Sequence, residues 1–507
     1  MWHPSFLGVK SLRGDALVTA YMVVCGIAFI MFGYDQAVLG ALSSNPSFLE
    51  HMGTTDPLII GCIIAIFSIG AIVGSIVTLV FGYRLGRRWL IFIGCCLLIL
   101  GAALQAASFS LGQMIAGRVV AGVGVGFISC TIPLLISEIA RPNRRGILIA
   151  ALFTLAVIGI VIADWMIFGL LKHTTNQELV WRFPVAFQGA FGIFTALTIF
   201  LLPESPRWLY AQGYNKEATN VLARVYNASE RSQLVQDTYD ALKAEVDDEE
   251  KREEKGFALF TQCMGALFWD TTDLKLGRRL RLCFFIMMLQ EMSGLNIIVP
   301  YTNTLFGIDL KFDALTSIMV ASIIQVAWAI FTTCEMFTIE RWGRRPTLMI
   351  GTVICTVGMT GFTISISIGT KAAGWAGMVM LIVVFFGFAF GMLPMSWLYP
   401  SEILPLHMRH VGLGVAGITT WLFTFLTVFT GPISFEATGY RIFILYILFN
   451  ALAFPYAYFL MEETKDKTLE EINLMFSPIA AASIRAAQVE IPINGKKDLG
   501  AQVIEQE

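Results

Sequence analysis

Residues 17–40 read LVTAYMVVCGIAFIMFGYDQAVLG. A helix rises about 1.5 Å per residue, so about 20 mostly apolar residues cross the roughly 30 Å of hydrocarbon in a bilayer. This run is longer than that and carries one charge, Asp35, in its second half. It also exceeds the apolar core of a secretory signal, about 7–15 residues, and has no clear cleavage site, so it reads as a retained first membrane helix behind Lys10 and Arg13. Barrel strands are about 10 residues long with alternating polarity, which this run does not show.

Eleven more segments of the same kind follow, at 58–82, 89–109, 112–137, 146–171, 182–202, 281–307, 315–338, 346–369, 375–400, 411–435 and 439–461. The composition agrees: 56% of the 507 residues are hydrophobic and 14% charged, with a mean hydropathy of +0.70. No soluble core could hide that much apolar surface. The expected fold class is an all-α integral membrane protein with twelve transmembrane helices in two six-helix bundles. A net charge of −2 supplies no clustered basic surface for nucleic acid. The nine cysteines form no CxxC and mostly lie in apolar runs, so neither zinc nor a disulfide framework is indicated. The five histidines fall in or near loops, and no nucleophile, base and acid set appears, so an enzyme is not expected. No cofactor or metal is expected.

Arg84, Arg87, Arg88, Arg141, Arg144, Arg145, Arg341, Arg344, Arg345 and Arg409 all occupy even-to-odd loops, whereas the opposite loops hold little beyond Lys172, Lys311 and Lys371. By the positive-inside rule the arginine-rich loops and both termini are cytosolic. The expected organisation is a cytosolic start (1–16), an amino-terminal bundle (17–202), a charged cytosolic helical linker (203–280), a carboxy-terminal bundle (281–461) and a cytosolic tail (462–507). The bundles repeat each other. GYRLGRR (82–88) recurs as ERWGRR (340–345), SEIARPNRRG (137–146) as SEILPLHMRHVG (401–412) and PESPRWL (203–209) as EETKDKTL (462–469). The separations are 257 (Gly86 to Gly343), 264 (Ser137 to Ser401) and 259 (Pro203 to Glu462), close to one spacing. Parallel six-helix repeats mark an alternating-access carrier.

A lone charge inside a membrane costs several kcal/mol and persists only if paired or functional. Asp35 lies about 18 residues, or about 27 Å, from the start of its span, and Arg118 about six residues, or about 9 Å, from the outer end of the fourth. The two therefore stand at similar depth and can pair. Asp164, beside Trp165, is a further in-span acid to which the sequence assigns no role.

FGYD (32–35), the glycine ladder after Gly117-Arg118, SE…RRG (137–146), WRFPVAFQ (181–188), PESPRWL, LQEMSGLN (289–296), GRR (343–345), WLYPSEI (397–403) and EETK (462–465) together resemble the sugar porter family of the major facilitator superfamily. The resemblance spans about residues 20–476 and is closest to the fungal branch. It implies two bundles rocking about a central cavity that passes hexoses, pentoses, polyols or related acids, and it leaves proton coupling open. Asp35 and Arg118 match the positions where the family's proton symporters place an Asp and an Arg, so they would carry coupling where it occurs, a static ion pair being the alternative. Gln290, Glu291 and Asn296 would contact the solute on a seventh helix broken near Gly294 and Pro300. Trp397 and Trp421 would stack on a sugar face or simply pack between helices. Arg87, Arg88, Glu138, Arg344, Arg345 and Glu402 would form an inner gate joining the bundles, or merely mark topology.

Several positions depart from the family pattern. Tyr83 stands where the first GRR loop usually has an acid, which is expected to disfavour outward-facing states. Phe153 replaces a sugar-binding Gln and Glu291 the second Gln of the seventh span, while Thr420 and Thr424 replace amides and Glu462 replaces a proline. Phe153 and Glu291 are therefore expected to set the substrate class. A sugar or polyol carrier, a carrier of an organic acid or secondary product, and a nutrient sensor remain the alternatives, the sensor being disfavoured by the short tail. The expected partners are the solute, protons and the lipid bilayer, with the protein a monomer in the plasma membrane.

Overall fold

The computed structural model describes residues 11–476 apart from 44, 142–143, 252–264, 266–274, 310–311, 405–408, 466 and 468. The amino-terminal half holds α1 (Gly14–Leu42), α2 (Pro57–Leu85), α3 (Arg87–Ala106), α4 (Leu111–Ile139), α5 (Arg145–His173) and α6 (Gln177–Thr198). The carboxy-terminal half begins with α7, in two pieces, Leu276–Glu291 and Leu295–Thr304, followed by α8 (Ala314–Glu335) and α9 (Arg344–Ile368). Next comes α10, where Lys371–Gly387 continues through a π-helical turn, Phe388–Met392, into Leu393–Ile403. Last are α11 (Arg409–Thr438) and α12 (Ile442–Phe459). Among the described residues eleven stretches are long and apolar enough to cross a membrane, and the last of them, Gly412–Phe459, takes in most of α11 and all of α12. The described residues contain no strand.

Side chains such as Leu100, Leu197, Val357 and Phe459 project outward from the helices, a surface that only lipid makes favourable. Away from the arginine-rich end, the helices start at capping residues: Asp56 for α2, Ser110 for α4, Asn176 for α6, Asp313 for α8 and Thr370 for α10. Each accepts a hydrogen bond from a first-turn backbone N–H, removing an orphan donor. At the arginine-rich end α3 and α9 begin differently, after Gly86 (φ +81°) and Gly343 (φ +86°), a backbone conformation that costs other residues energy.

Of the linker, Pro206–Ala211, Asn215–Tyr226 and Gln233–Lys251 are helical; the acidic run from Asp247 enters the last of these, and its residues 252–255 lie outside the described residues. The helix of the seventh span starts at Leu276, ahead of the predicted residue 281. Arg279 explains the difference: it is fully buried, donates through Nη1 to Ile403 O at 2.8 Å and lies 4.4 Å over the Phe476 ring. A charge that sequence reading assigns to a loop is thus satisfied inside the helix base. Phe476 belongs to a short helix, Leu469–Phe476, that follows the last span and buries Ile472 and Phe476 against the bundle.

The halves meet along α2 and α11, where Gly61 faces Phe429 and Pro432 at one end and Gly414 faces Leu79 at the other. They meet again where α5 packs on α8 and where Gly40 of α1 touches Pro300 of α7. A central cavity lies between these seams.

Candidate solute site

The cavity measures about 130 Å³ and is lined from both halves. Its polar wall comes from the break in α7. Gly294 takes φ +98°, which ends the first piece at Glu291 and starts the second at Leu295. The backbone exposed by the break is partly satisfied from α12, since Asn450 Nδ2 donates to Ser293 O at 2.8 Å. Asn450 is fully buried and was not legible as a site residue. Gln290, Glu291 and Asn296 all line the cavity. Asn296 Nδ2 donates to Glu291 Oε2 at 2.5 Å, and Thr424 Oγ1 of α11 donates to the same oxygen at 3.0 Å. Gln290 Oε1 is buried and has no hydrogen-bond partner among the described residues.

The remaining wall is aromatic. Phe153 of α5 and Trp397 of α10 meet across the halves with ring centroids 5.2 Å apart. Trp421 of α11 is 1% exposed and receives Phe32 of α1 and Phe67 of α2 edge-on, each at 5.8 Å. Trp328 of α8 also lines the cavity, a position the sequence reading missed because one Trp in an apolar span resembles packing. The indole N–H groups of Trp328 and Trp421 are buried without acceptors among the described residues. Buried polar groups normally find partners, so these atoms are available to a solute or to water.

Asp35 and Arg118 form an ion pair of 3.2 Å, fully buried. Arg118 also donates from Nε to Ile63 O at 3.3 Å and from Nη2 to Ile64 O at 3.0 Å, and its guanidinium lies 4.4 Å over the Phe67 ring. Gln188, from the WRFPVAFQ stretch, lies beside Asp35. Arg118 itself lines the cavity, so the ion pair and the solute wall are contiguous through Phe67. Asp164 of α5 is buried too and forms no ion pair among the described residues.

At the arginine-rich end, Arg87 grips Glu138 with Nε at 3.0 Å and Nη2 at 2.7 Å, and Arg344 grips Glu402 with Nη2 at 2.7 Å. Both are fork-shaped pairs of the strong, geometrically specific kind. The expectation that these contacts join the two bundles needs correcting in geometry: each lies inside one half, linking α3 to α4 and α9 to α10. Arg88 and Arg345 likewise turn inward, to Leu202 O at 2.8 Å and to Ala457 O at 3.1 Å. The residues that complete the arrangement are Glu204 and Glu463. Glu204 accepts the backbone N–H groups of Arg87 and Arg88 at 3.2 and 3.1 Å, and Glu463 those of Arg344 and Arg345, both at 3.0 Å. Each carboxylate thus caps a helix that starts at a glycine, where the helix dipole favours an anion. Burial raises the Glu204 carboxyl above its ordinary value, while Arg88 and the Ser205 N–H work against that rise. The repeated motifs PESPRWL and EETK held this signal, as Glu204 and Glu463 are separated by nearly the same interval as Gly86 and Gly343. The side chain of Tyr83 lies outside the described residues.

Two six-helix halves closing on a cavity that is polar on one side and aromatic on the other define a membrane carrier of the major facilitator fold, not an enzyme. The family model "Sugar (and other) transporter" matches residues 19–476, and the chain belongs to that family. It is similar to the MFS-type transporter oryC of Aspergillus oryzae (31% identity over 478 residues, 91% of this chain and 86% of the other). It is also similar to the sugar transporter STL1 of Saccharomyces cerevisiae (30% over 484 residues, 92% and 82%). A solved structure of the proton:xylose symporter XylE bound to 6-bromo-6-deoxy-D-glucose shares the fold, with a TM-score of 0.78 at 21% identity over 92% of this chain and all of the other.

Proposed function

We propose that this protein moves a small polar solute, of the sugar or polyol class, across the plasma membrane by alternating access. It does so as a monomer in the bilayer, with both termini and residues 203–280 cytosolic, and has no nucleic-acid partner. One observation carries the reading: Gln290, Glu291 and Asn296 from the broken α7 converge with Trp397, Trp421 and Phe153 on one cavity at the junction of the halves. Side-chain amides supply both donors and acceptors for hydroxyls, and indole faces cover the apolar face of a ring. Relatives named as sugar transporters support the same class.

Asp35 and Arg118 are proposed to couple transport to protons, as their burial and mutual ion pair allow. A proton arriving from outside neutralises Asp35, frees Arg118 and shifts the balance of conformations. The proton:xylose symporter that shares this fold supports the reading. Arg87 with Glu138 and Arg344 with Glu402 stiffen the cytosolic ends of the halves, so that the halves move as units and the inner gate opens between them.

A second reading, a carrier for an organic acid or secondary metabolite, draws on Phe153 and Glu291, which remove one amide grip and add a carboxyl. Uptake of a panel of labelled sugars, polyols, organic acids and amines into cells lacking their own carriers separates the two. Accumulation confined to organic acids would overturn the sugar or polyol reading.

A further inference from the structure

Among the described residues that line the cavity, Arg118 is the cation, and it is bound to Asp35. Glu291 has no such counterpart. Among the described residues, both hydrogen bonds to its carboxyl converge on Oε2, from the neutral groups Asn296 and Thr424, and neither Glu291 nor Asp164 forms an ion pair. Asp164 is related to the cavity by helix register. Phe153, Val157 and Ile160 line it, and Asp164 continues that stripe of α5 four residues, or about 6 Å, further on. Two carboxyl groups in a membrane interior, without matching cations, need protons or a positively charged ligand. The cavity that Glu291 lines is also lined by Phe32, Phe67, Phe153, Trp328, Trp397 and Trp421. Aromatic rings attract an ammonium ion by their quadrupoles, most strongly where water is excluded. A neutral sugar uses the indole faces and can donate hydroxyls to the carboxyl, but it brings no charge to balance an ionised Glu291.

Resting on the carrier reading above, we infer that the preferred solute is a polyhydroxylated amine. Its ammonium group pairs with Glu291 inside the aromatic walls, its hydroxyls are held by Gln290 and Asn296, and Asp164 draws the cation along the path beyond the cavity. Gln290 Oε1, buried without a partner among the described residues, is an acceptor ready for a hydroxyl or ammonium donor.

A matched pair of solutes tests this: glucitol and N-methylglucamine, which differ in one terminal group that is an ammonium at neutral pH. The full chain, purified and reconstituted in liposomes, should take up N-methylglucamine at least about tenfold faster than glucitol at equal concentration, the scale of one charge-assisted hydrogen bond. Glu291→Gln should bring the ratio of the two rates to about one, Glu291→Asp should keep it above one, and Asp164→Asn should lower it by a smaller factor. A ratio of one or below in the parent protein overturns the inference whatever the variants do. Uptake of neither solute by liposomes that move another member of the panel overturns it and leaves the carrier reading standing. Movement of no solute at all removes both.

Discussion

The hydroxyl of Thr424 and the amide of Asn296 donate to the same oxygen of Glu291, at 3.0 and 2.5 Å. Thr424 and Glu291 are both positions where the chain departs from the pattern its sequence resembles, and the structure pairs them. Two changes that look independent along the chain form one polar unit joining α11 to α7. Loss of either donor leaves that oxygen short of a partner, which costs about 1–3 kcal/mol in a buried site. Thr424→Val should therefore lower solute affinity about tenfold or more, read as a rise in the half-saturating concentration of uptake. Unchanged affinity would mean that the Glu291 carboxyl does not hold its orientation through Thr424.

Exchanging Phe153 and Glu291 together for Gln restores two amides to the cavity. Hexose uptake should rise relative to the parent, since a site that reads hydroxyls rejects or accepts them far more sharply than an apolar wall does. Competition by glucose against the parent's own solute measures the change. Efficient glucose transport by the parent, unaltered in the double variant, would show that other residues read the solute.

Asp35→Asn should abolish accumulation driven by a pH gradient while leaving exchange down a solute gradient. Removing one partner of a buried ion pair leaves the other charge uncompensated, at about 3–5 kcal/mol. The single variant should therefore also melt earlier in detergent, and Asp35→Asn combined with Arg118→Gln should recover part of the loss. Unchanged accumulation in Asp35→Asn would make the pair purely structural.

Much of this arrangement was legible before any coordinates. Twelve spans follow from run length alone, and counting residues from the span ends brings Asp35 and Arg118 to one depth. What sequence reasoning missed depends on contacts between distant segments. Arg279 looks like a loop charge until Ile403 O and Phe476 are seen to satisfy it. Glu204 and Glu463 look like parts of a repeated motif, and only the folded chain brings each onto a helix that begins at a glycine. Arg87, Arg88, Arg344, Arg345, Glu138 and Glu402 were expected as a gate joining the bundles or as markers of topology, and residue types alone do not say that Arg87 meets Glu138 and Arg344 meets Glu402 within their own halves.

Gly294→Ala tests the break in α7. A Cβ at this position would sit 2.9 Å from Met359 Cε and 3.0 Å from Tyr446 Cγ, on a backbone with φ +98°. Strain of this kind costs about 1–3 kcal/mol. The variant should show a lower melting temperature and weaker solute binding together. A stable protein with ordinary uptake would mean that the broken helix is not needed to present Gln290, Glu291 and Asn296.

Asn227, in the sequon Asn227-Ala228-Ser229, is exposed at the end of the helix Asn215–Tyr226. With the linker cytosolic it should carry no glycan in a secretory host, and burial cannot explain the lack of one. A glycan at Asn227 would reverse the proposed topology.

Phe67 lies 4.4 Å beneath Arg118 and 5.8 Å from Trp421, so a single ring forms part of the wall for both the charge pair and the solute. In the proposed cycle, freeing the guanidinium changes what that ring rests on, and the surface offered to the solute changes with it. Thermodynamic reciprocity then applies: whatever factor a bound proton adds to solute affinity, a bound solute adds to proton affinity. Under the proposed coupling the ring ties two ligands that never touch into one cycle, and solute leaving on the far side would carry its share of proton affinity away with it.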